Sequence, residues 1–378
     1  MPKLQLRMRF PGPLKGGLIL LIALLSQTGL AGWQREDADI MGTRITVELF
    51  HSDSEMARRG IRSVMAEMRR IDRSMSPYIE SSEIARINRE AGTRAVAISE
   101  ELYALIEQSA RFSVLTDGAF DITFASAGFL YDYRNRQRPS KHRLKTAVGL
   151  IDYRSLVMDS KARTIRFSRP GMRIDLGGIA KGYAVDRCIQ RLRALHIQSA
   201  LVTAGGDSRI VGDRWGRPWT IGIRDPRTRD GVVALIPLRD AAISTSGDYE
   251  RYFEENGTRY HHIIDPQTGD SARELQSVTI IGPDATTTDA LSTSVFVLGL
   301  ERGMELVNGS AGIDAILVDH AGKLHYSEGL LDARSAGPHV KTSTRSSVTR
   351  RDSCPRQGCA SGAEAKNVAG SRRDSGPS

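Results

Sequence analysis

Between Ile40 and Phe50, Ile45, Val47 and Leu49 alternate with polar residues, which predicts a strand. Residues 55–72 place Met56, Ile61, Val64, Met65, Met68 and Ile71 three and four apart, the spacing of a helix with one apolar face. Residues 99–116 repeat that spacing, with Ser99 as the cap before Glu100 and Glu101. Between these helices, Met75-Ser76-Pro77-Tyr78 and the stretch 81–88 predict a turn and a short helix. Past residue 150 the pattern turns to strands, at 155–158, 164–167, 199–203, 219–223, 233–237, 277–281 and 314–318, with helices at 183–195 and 287–299. Arg134 to Arg143 reads as a polar insertion, and there is no repeat and no clear linker. Strands and helices mixed in irregular order predict one large α+β domain over residues 33–335.

The pattern changes at both ends. Residues 1–17 hold Lys3, Arg7, Arg9 and Lys15 and no acid, and the apolar run Leu18 to Leu25 and small residues through Gly32 follow. Such a segment predicts a signal peptide or an N-terminal anchor over 1–32. It implies a periplasmic or otherwise exported protein, held at the inner membrane if the segment stays attached. Trp33 stands where a lipobox cysteine would be needed, which excludes a lipid anchor at that point. Residues 336–378 are rich in Ser, Arg and Gly and too poor in large apolar side chains to offset their ordering entropy, so a disordered tail is expected. The formal charge of +9 resides in these two ends. The balanced middle has no basic, aromatic-interleaved patch, which argues against a nucleic-acid partner. Cys188 reads as core, and Cys354 and Cys359 in the tail read as a local disulfide or as free thiols.

Six clusters could carry chemistry. Asp175-Leu176-Gly177-Gly178-Ile179-Ala180-Lys181-Gly182-Tyr183 is a glycine-rich turn from a strand into a helix. It either exposes N–H groups to a phosphate or pyrophosphate or is only a tight turn; its spacing is neither a Walker loop nor GxGxxG. Gly118-Ala119-Phe120-Asp121 sets an aromatic beside an acid after a helix stop. Ala204-Gly205-Gly206-Asp207 allows backbone approach to a ligand or forms a hairpin turn with an Asx-type bond. Ile243 to Tyr249 clusters hydroxyls that either donate to phosphate or cap a turn. In Tyr260-His261-His262-Ile263-Ile264-Asp265-Pro266-Gln267-Thr268-Gly269, His262 and Asp265 suit a base with its orienting acid, and adjacent histidines are also common on surfaces. Asp289 and Thr293 share a helix face with Ser292 beside them, a hard-oxygen set for Mg²⁺; Thr286 to Thr288 with Asp289 equally suit a helix cap.

Together and in this order, with Met41-Gly42-Thr43 and Ser82-Glu83-Ile84 ahead of them, these clusters resemble the ApbE family, the FAD:protein FMN transferases. The resemblance covers about residues 36 to 332. It implies a mixed α/β domain of the flavin-transferase, T-fold-like type. It also implies an enzyme that binds FAD with Mg²⁺ and splits the pyrophosphate. The FMN half would pass through a phosphoester to a threonine hydroxyl of another protein, with release of AMP. By position, Met41, Tyr78, Ala119, Phe120, Asp121, Asp175, Lys181 and Ile264 would line the FAD site. Asp289, Ser292 and Thr293 would hold the metal with the Gly178 carbonyl, or that of Ala180, and His262 would be the base. The family suggests subunits of membrane redox complexes as acceptors. Ala125-Ser126-Ala127-Gly128 departs from the Gly-Pro that many members carry there. An Mg²⁺-dependent FAD pyrophosphatase and a non-catalytic FAD-binding protein are the competing readings.

Overall fold

The computed structural model describes residues 32–228 and 231–335. All of the expected leader except Gly32, and the expected tail with Cys354 and Cys359, lie outside the described residues. Among the described residues no helix is long and apolar enough to cross a membrane.

The chain opens with β1 (Gly32–Ile40), β2 (Thr43–His51), α1 (Ser54–Met75), α2 (Glu83–Glu90), β3 (Val96–Ala97) and α3 (Glu100–Leu115). It continues through α4 (Ala125–Gly128), α5 (Lys141–Val148), β4 (Leu156–Asp159), β5 (Thr164–Phe167), α6 (Ala180–Ala194), β6 (Ser199–Ala204) and β7 (Asp207–Val211). The later part holds β8 (Trp219–Arg224), β9 (Val232–Leu238), β10 (Ala242–Gly247), β11 (Tyr252–Glu255), β12 (Thr258–His261), β13 (Leu275–Gly282), α7 (Ala285–Asn308), β14 (Asp314–Asp319), β15 (Leu324–Tyr326) and α8 (Glu328–Ser335).

Eight strands form the main sheet in the order β1-β2-β6-β7-β10-β13-β14-β15, so spatial order follows chain order and every pairing is antiparallel. The small units β3-β5-β4, β8-β9 and β11-β12 are excursions from this meander. Side chains of a strand alternate between faces. Val278, Ile280, Ala315 and Leu317 therefore pack with α7 residues Leu291, Val295 and Phe296. Ile243, Ile281 and Ile316 face the opposite layer, with Ile223 and Ile236 of the β8-β9 hairpin. With both faces covered, all eight residues of β13 are buried. Cys188 is buried in the core, as expected.

Two expectations need correction. The predicted strand forms as β2, but it does not open the domain: β1 precedes it and pairs with it across Met41 (φ +57) and Gly42 (φ +68). β1 reads GWQREDADI, and as a sheet edge with largely exposed side chains it carries no apolar alternation to betray it. The polar insertion is also partly helical, since α5 is capped by Ser140.

α6 and α7 cross closely at Gly182. A Cβ there would overlap the Ala285 carbonyl and come within 2.7 Å of the Asp289 Cβ. The start of α7 is anchored there, because Asp186 of α6 accepts from the amides of Ala285 (3.0 Å) and Thr286 (2.8 Å). Gly182→Ala should therefore force the helices apart and cost about 3 kcal/mol. Urea unfolding of the variant checks this, and a loss under 1 kcal/mol contradicts it.

Candidate active site

One end of the sheet gathers the β1-β2 turn at Met41–Gly42, the β6-β7 turn at Gly205–Gly206 and the end of β10 at Ser246–Gly247. The start of α6 and the stretch Asp289–Thr293 of α7 meet at the same end, Ser292 beside Ser246. Thr245 N–H donates to the Gly206 carbonyl at 3.0 Å and Gly205 N–H to that of Arg44 at 2.9 Å, so the turns brace one another.

At its centre Lys181 Nζ lies 2.6 Å from Asp207 Oδ2 and 3.3 and 3.4 Å from the two Asp289 oxygens. Asp289 Oδ2 also accepts the Gly182 N–H at 2.9 Å. Both carboxylates are almost wholly buried. Burial pulls the lysine pKa down, but the two carboxylates more than offset this and hold it above its ordinary value. Burial and the Asp207 charge push Asp289 above the usual carboxylate range. Two acids share one base here, so the corner is short of positive charge.

Thr293 and Gly178 close the corner. A Cβ on Gly178 would stand 3.1 Å from Thr293 Oγ1 and 3.3 Å from the Phe120 ring, so a side chain there would crowd the place where the turn, the helix and the aromatic meet. Ser292 is more committed: its hydroxyl donates to the Asp289 carbonyl at 2.9 Å and lies 2.8 Å from Ser246 Oγ. Ser244 with Thr288 (2.8 Å) and Thr245 with Thr279 (2.9 Å) continue this pairing of hydroxyls, so the β10 cluster serves mainly to zip α7 and β13 to the strand. Of the two readings of the start of α7, the cap belongs to Asp284, which accepts from Thr287 N–H at 2.8 Å, and Asp289 faces Lys181 instead.

The glycine turn offers fewer free amides than the sequence suggests. Gly177 N–H bonds Asp175 at 2.7 Å, those of Ile179 and Ala180 bond the Leu176 carbonyl, and that of Gly182 is held by Asp289. Its role is to bring Gly178 and Lys181 to α7.

A second group adjoins this corner. The Lys181 charge acts on both Asp175 and His262, and burial raises Asp175 against it. His262 follows the end of β12, its main-chain N–H bonds the Arg251 carbonyl at 3.1 Å, and its Nδ1 is buried with no partner. Asp265 does not orient it, because that carboxylate serves its own turn, accepting from Gln267 N–H (2.9 Å) and Thr268 Oγ1 (3.1 Å). His261 points into the core, with Nε2 2.6 Å from the Ala272 carbonyl and its ring against Phe296.

Tyr78, 74 % exposed, meets the Phe129 ring edge-on and feels the charges of Asp175 and Arg251. Ser76 and Ser82 shape its loop: Ser82 Oγ donates to the Ser76 carbonyl at 2.6 Å and caps α2. Met41 sits in the β1-β2 turn and Ala119 beside buried Phe120. Asp121 is a brace for this loop, accepting from Thr123 N–H and Oγ1 and, at 2.9 Å, from Tyr153 N–H. Ile264 packs its side chain among Tyr131, Phe253 and Tyr260, away from the carboxylate corner. Sequence reasoning did not assign Asp207, the second acid on Lys181, or Ser246. The acid directly after the Gly205–Gly206 strand end was the available signal for Asp207.

Burial lowers His262 from 6.5 to about 3, helped by the Arg251, His261 and Lys181 charges, and burial lowers His261 to about 4. His262 is thus an unprotonated base through the neutral range. Because both folded-state values lie below 6.5, the unfolded chain takes up protons on acidification that the folded chain refuses. The stability that neutral His261 and His262 contribute is complete above pH 6.5 and is lost as pH falls toward these values. Each histidine should add about 1.4 kcal/mol per pH unit to that loss. His262→Gln should remove one such contribution, which urea unfolding between about pH 7.5 and 5 checks.

Known proteins resemble this chain in sequence and in fold. A sequence profile of the ApbE family matches residues 41–317. The FAD:protein FMN transferase of Treponema pallidum is 35% identical over 276 residues, 68% of this chain and 76% of that protein. That of Klebsiella pneumoniae is 31% identical over 285 residues, 74% of this chain and 87% of that protein. Among solved structures, the ApbE protein of Thermotoga maritima superposes with a TM-score of 0.74 at 38% identity, covering 79% of this chain and 98% of that one. The flavin transferase ApbE of Vibrio cholerae gives 0.71 at 28% identity, covering 80% and 99%.

Proposed function

Since this chain belongs to the ApbE family and is an FAD:protein FMN transferase, we propose that it works with Mg²⁺ on a threonine hydroxyl and releases AMP. The observation that carries the metal reading is the corner of Asp289, Asp207 and Lys181. There burial and the Asp207 charge raise the Asp289 carboxyl, beside the Thr293 hydroxyl and a turn at Gly178 that a side chain would crowd. One carboxylate with neutral oxygens is the donor set that Mg²⁺ takes when phosphates and water complete its shell. Asp289 and Thr293 would hold the ion with the Gly178 carbonyl, and Ser292 would support them from its bond to Ser246. The ion supplies charge neutralisation on the diphosphate.

The chain's own groups do the rest. His262 takes the proton of the threonine hydroxyl as its oxygen bonds to the FMN phosphorus. The bond from that phosphorus to the bridging oxygen breaks, and the electron pair leaves with AMP. Lys181, anchored by Asp207, sets cationic charge beside the diphosphate, and Tyr78 with Phe129 offers ring surfaces to the flavin. We place the enzyme outside the cytoplasm, on the leader-like pattern of residues 1–32, and its acceptors among subunits of membrane redox complexes. The test is mass spectrometry of a threonine-bearing acceptor incubated with the protein, FAD and Mg²⁺. An FMN adduct on threonine with equimolar AMP is expected. FMN and AMP with an unlabelled acceptor would make the protein a pyrophosphatase instead.

A further inference from the structure

The loop between β10 and β11 carries a cation with no part in the steps above. Arg251 is exposed and reaches across to the β1-β2 turn, where its Nη2 would lie 3.2 Å from a Cβ placed on Gly42. Its charge is felt by Tyr78, Asp175 and His262, three groups that otherwise come from distant parts of the chain. Its carbonyl accepts the His262 N–H, so the backbone fixes the two residues to each other.

The arginines around it are neutralised. Arg227 and Arg259 share Asp248 at 2.6 and 3.2 Å, Arg259 also pairs with Glu254, and Arg273 pairs with Asp270 at 3.3 Å. Lys181 already has two carboxylates. Among the described residues no carboxylate lies within ion-pair distance of Arg251, and the Asp175 carboxyl feels its charge without pairing with it.

We infer that Arg251 is a phosphate-binding residue of this site, contacting the oxygens of the phosphoryl group that is transferred. This rests on the transferase reading. A guanidinium presents paired N–H donors that match two phosphate oxygens, which an ammonium cannot do. The transition state of phosphoryl transfer is loose and leaves charge on those same oxygens. The incoming hydroxyl must meet His262 and the phosphorus together, and Arg251 is a cation fixed beside His262. It completes a clamp with anchored Lys181 toward the carboxylate corner and Arg251 toward solvent.

The test compares Arg251→Met and Arg251→Lys in the full chain. It measures FAD affinity by calorimetry without acceptor, the single-turnover transfer rate with acceptor, and thermal stability. Losing charge-assisted bonds to phosphate should weaken FAD binding about tenfold and slow transfer about 100-fold in the methionine variant. The lysine variant should recover part of both, and an exposed, unpaired side chain should leave the melting temperature unchanged. Affinity and rate equal to the parent protein in Arg251→Met would overturn the assignment. So would a loss that tracks a fallen melting temperature while Arg251→Lys recovers nothing. If the parent protein itself labels no acceptor, the transferase reading fails instead, and the two failures are thereby told apart.

Discussion

Asp289→Asn should lower FMN transfer by about three orders of magnitude at saturating FAD and Mg²⁺ while leaving the protein folded. The substitution is nearly isosteric. An amide oxygen can still accept the Gly182 N–H that Asp289 holds at 2.9 Å, and Lys181 keeps its shorter bond to Asp207. What is removed is the negative charge that the proposed divalent ion would need, at a point where its other proposed donors are neutral. The melting temperature should stay within a few degrees, and it should rise if charge crowding at the corner matters more than the lost ion pair. Transfer within tenfold of the parent rate would place the metal elsewhere, and Asp289 would then be only the structural partner of Lys181.

Lys181→Met carries a large expected stability effect. It leaves Asp207 and Asp289, each 2 % exposed, facing one another without a cation. Removing one partner of a buried ion pair costs far more than the pair's net worth, because the desolvated charge left behind is uncompensated. About 3 kcal/mol is expected, measured by urea unfolding in a metal-free buffer. Adding Asp207→Asn to the variant should restore much of the loss, since the double change removes the repulsion with its cause. A double variant as unstable as the single one would show that Lys181 acts through packing alone.

The two variants also show how much of this site is visible in a linear sequence. The run from Ala290 to Leu300 announces a helix, and Asp289 and Thr293 fall on one face of it by spacing alone. The cap did not follow from the sequence: three threonines compete at its start, yet Asp284 just before them holds Thr287 N–H. The β10 hydroxyls read as a polar patch ready for a ligand. In three dimensions Ser244, Thr245 and Ser246 have hydroxyl partners on α7 and β13, and a buried polar pair leaves no apolar signature. Asp265 was attractive as a partner for His262 because it lies three residues away. A tight turn absorbs that carboxylate, and the groups acting on His262 are Arg251 and Lys181, which only folding brings near. The central strands were legible because both faces of the sheet are covered and their apolar content is high. The polar edge strand β1 was not, although its turn places Met41 at the site.

Calorimetric titration of FAD into the purified protein, with and without Mg²⁺, tests most directly whether this corner joins an ion to a diphosphate. Mg²⁺ should tighten FAD binding at least about tenfold in the parent protein and have no effect in Asp289→Asn, the coupling free energy being lost with the carboxylate. An FAD affinity in the parent protein that is the same with and without Mg²⁺ would contradict the account.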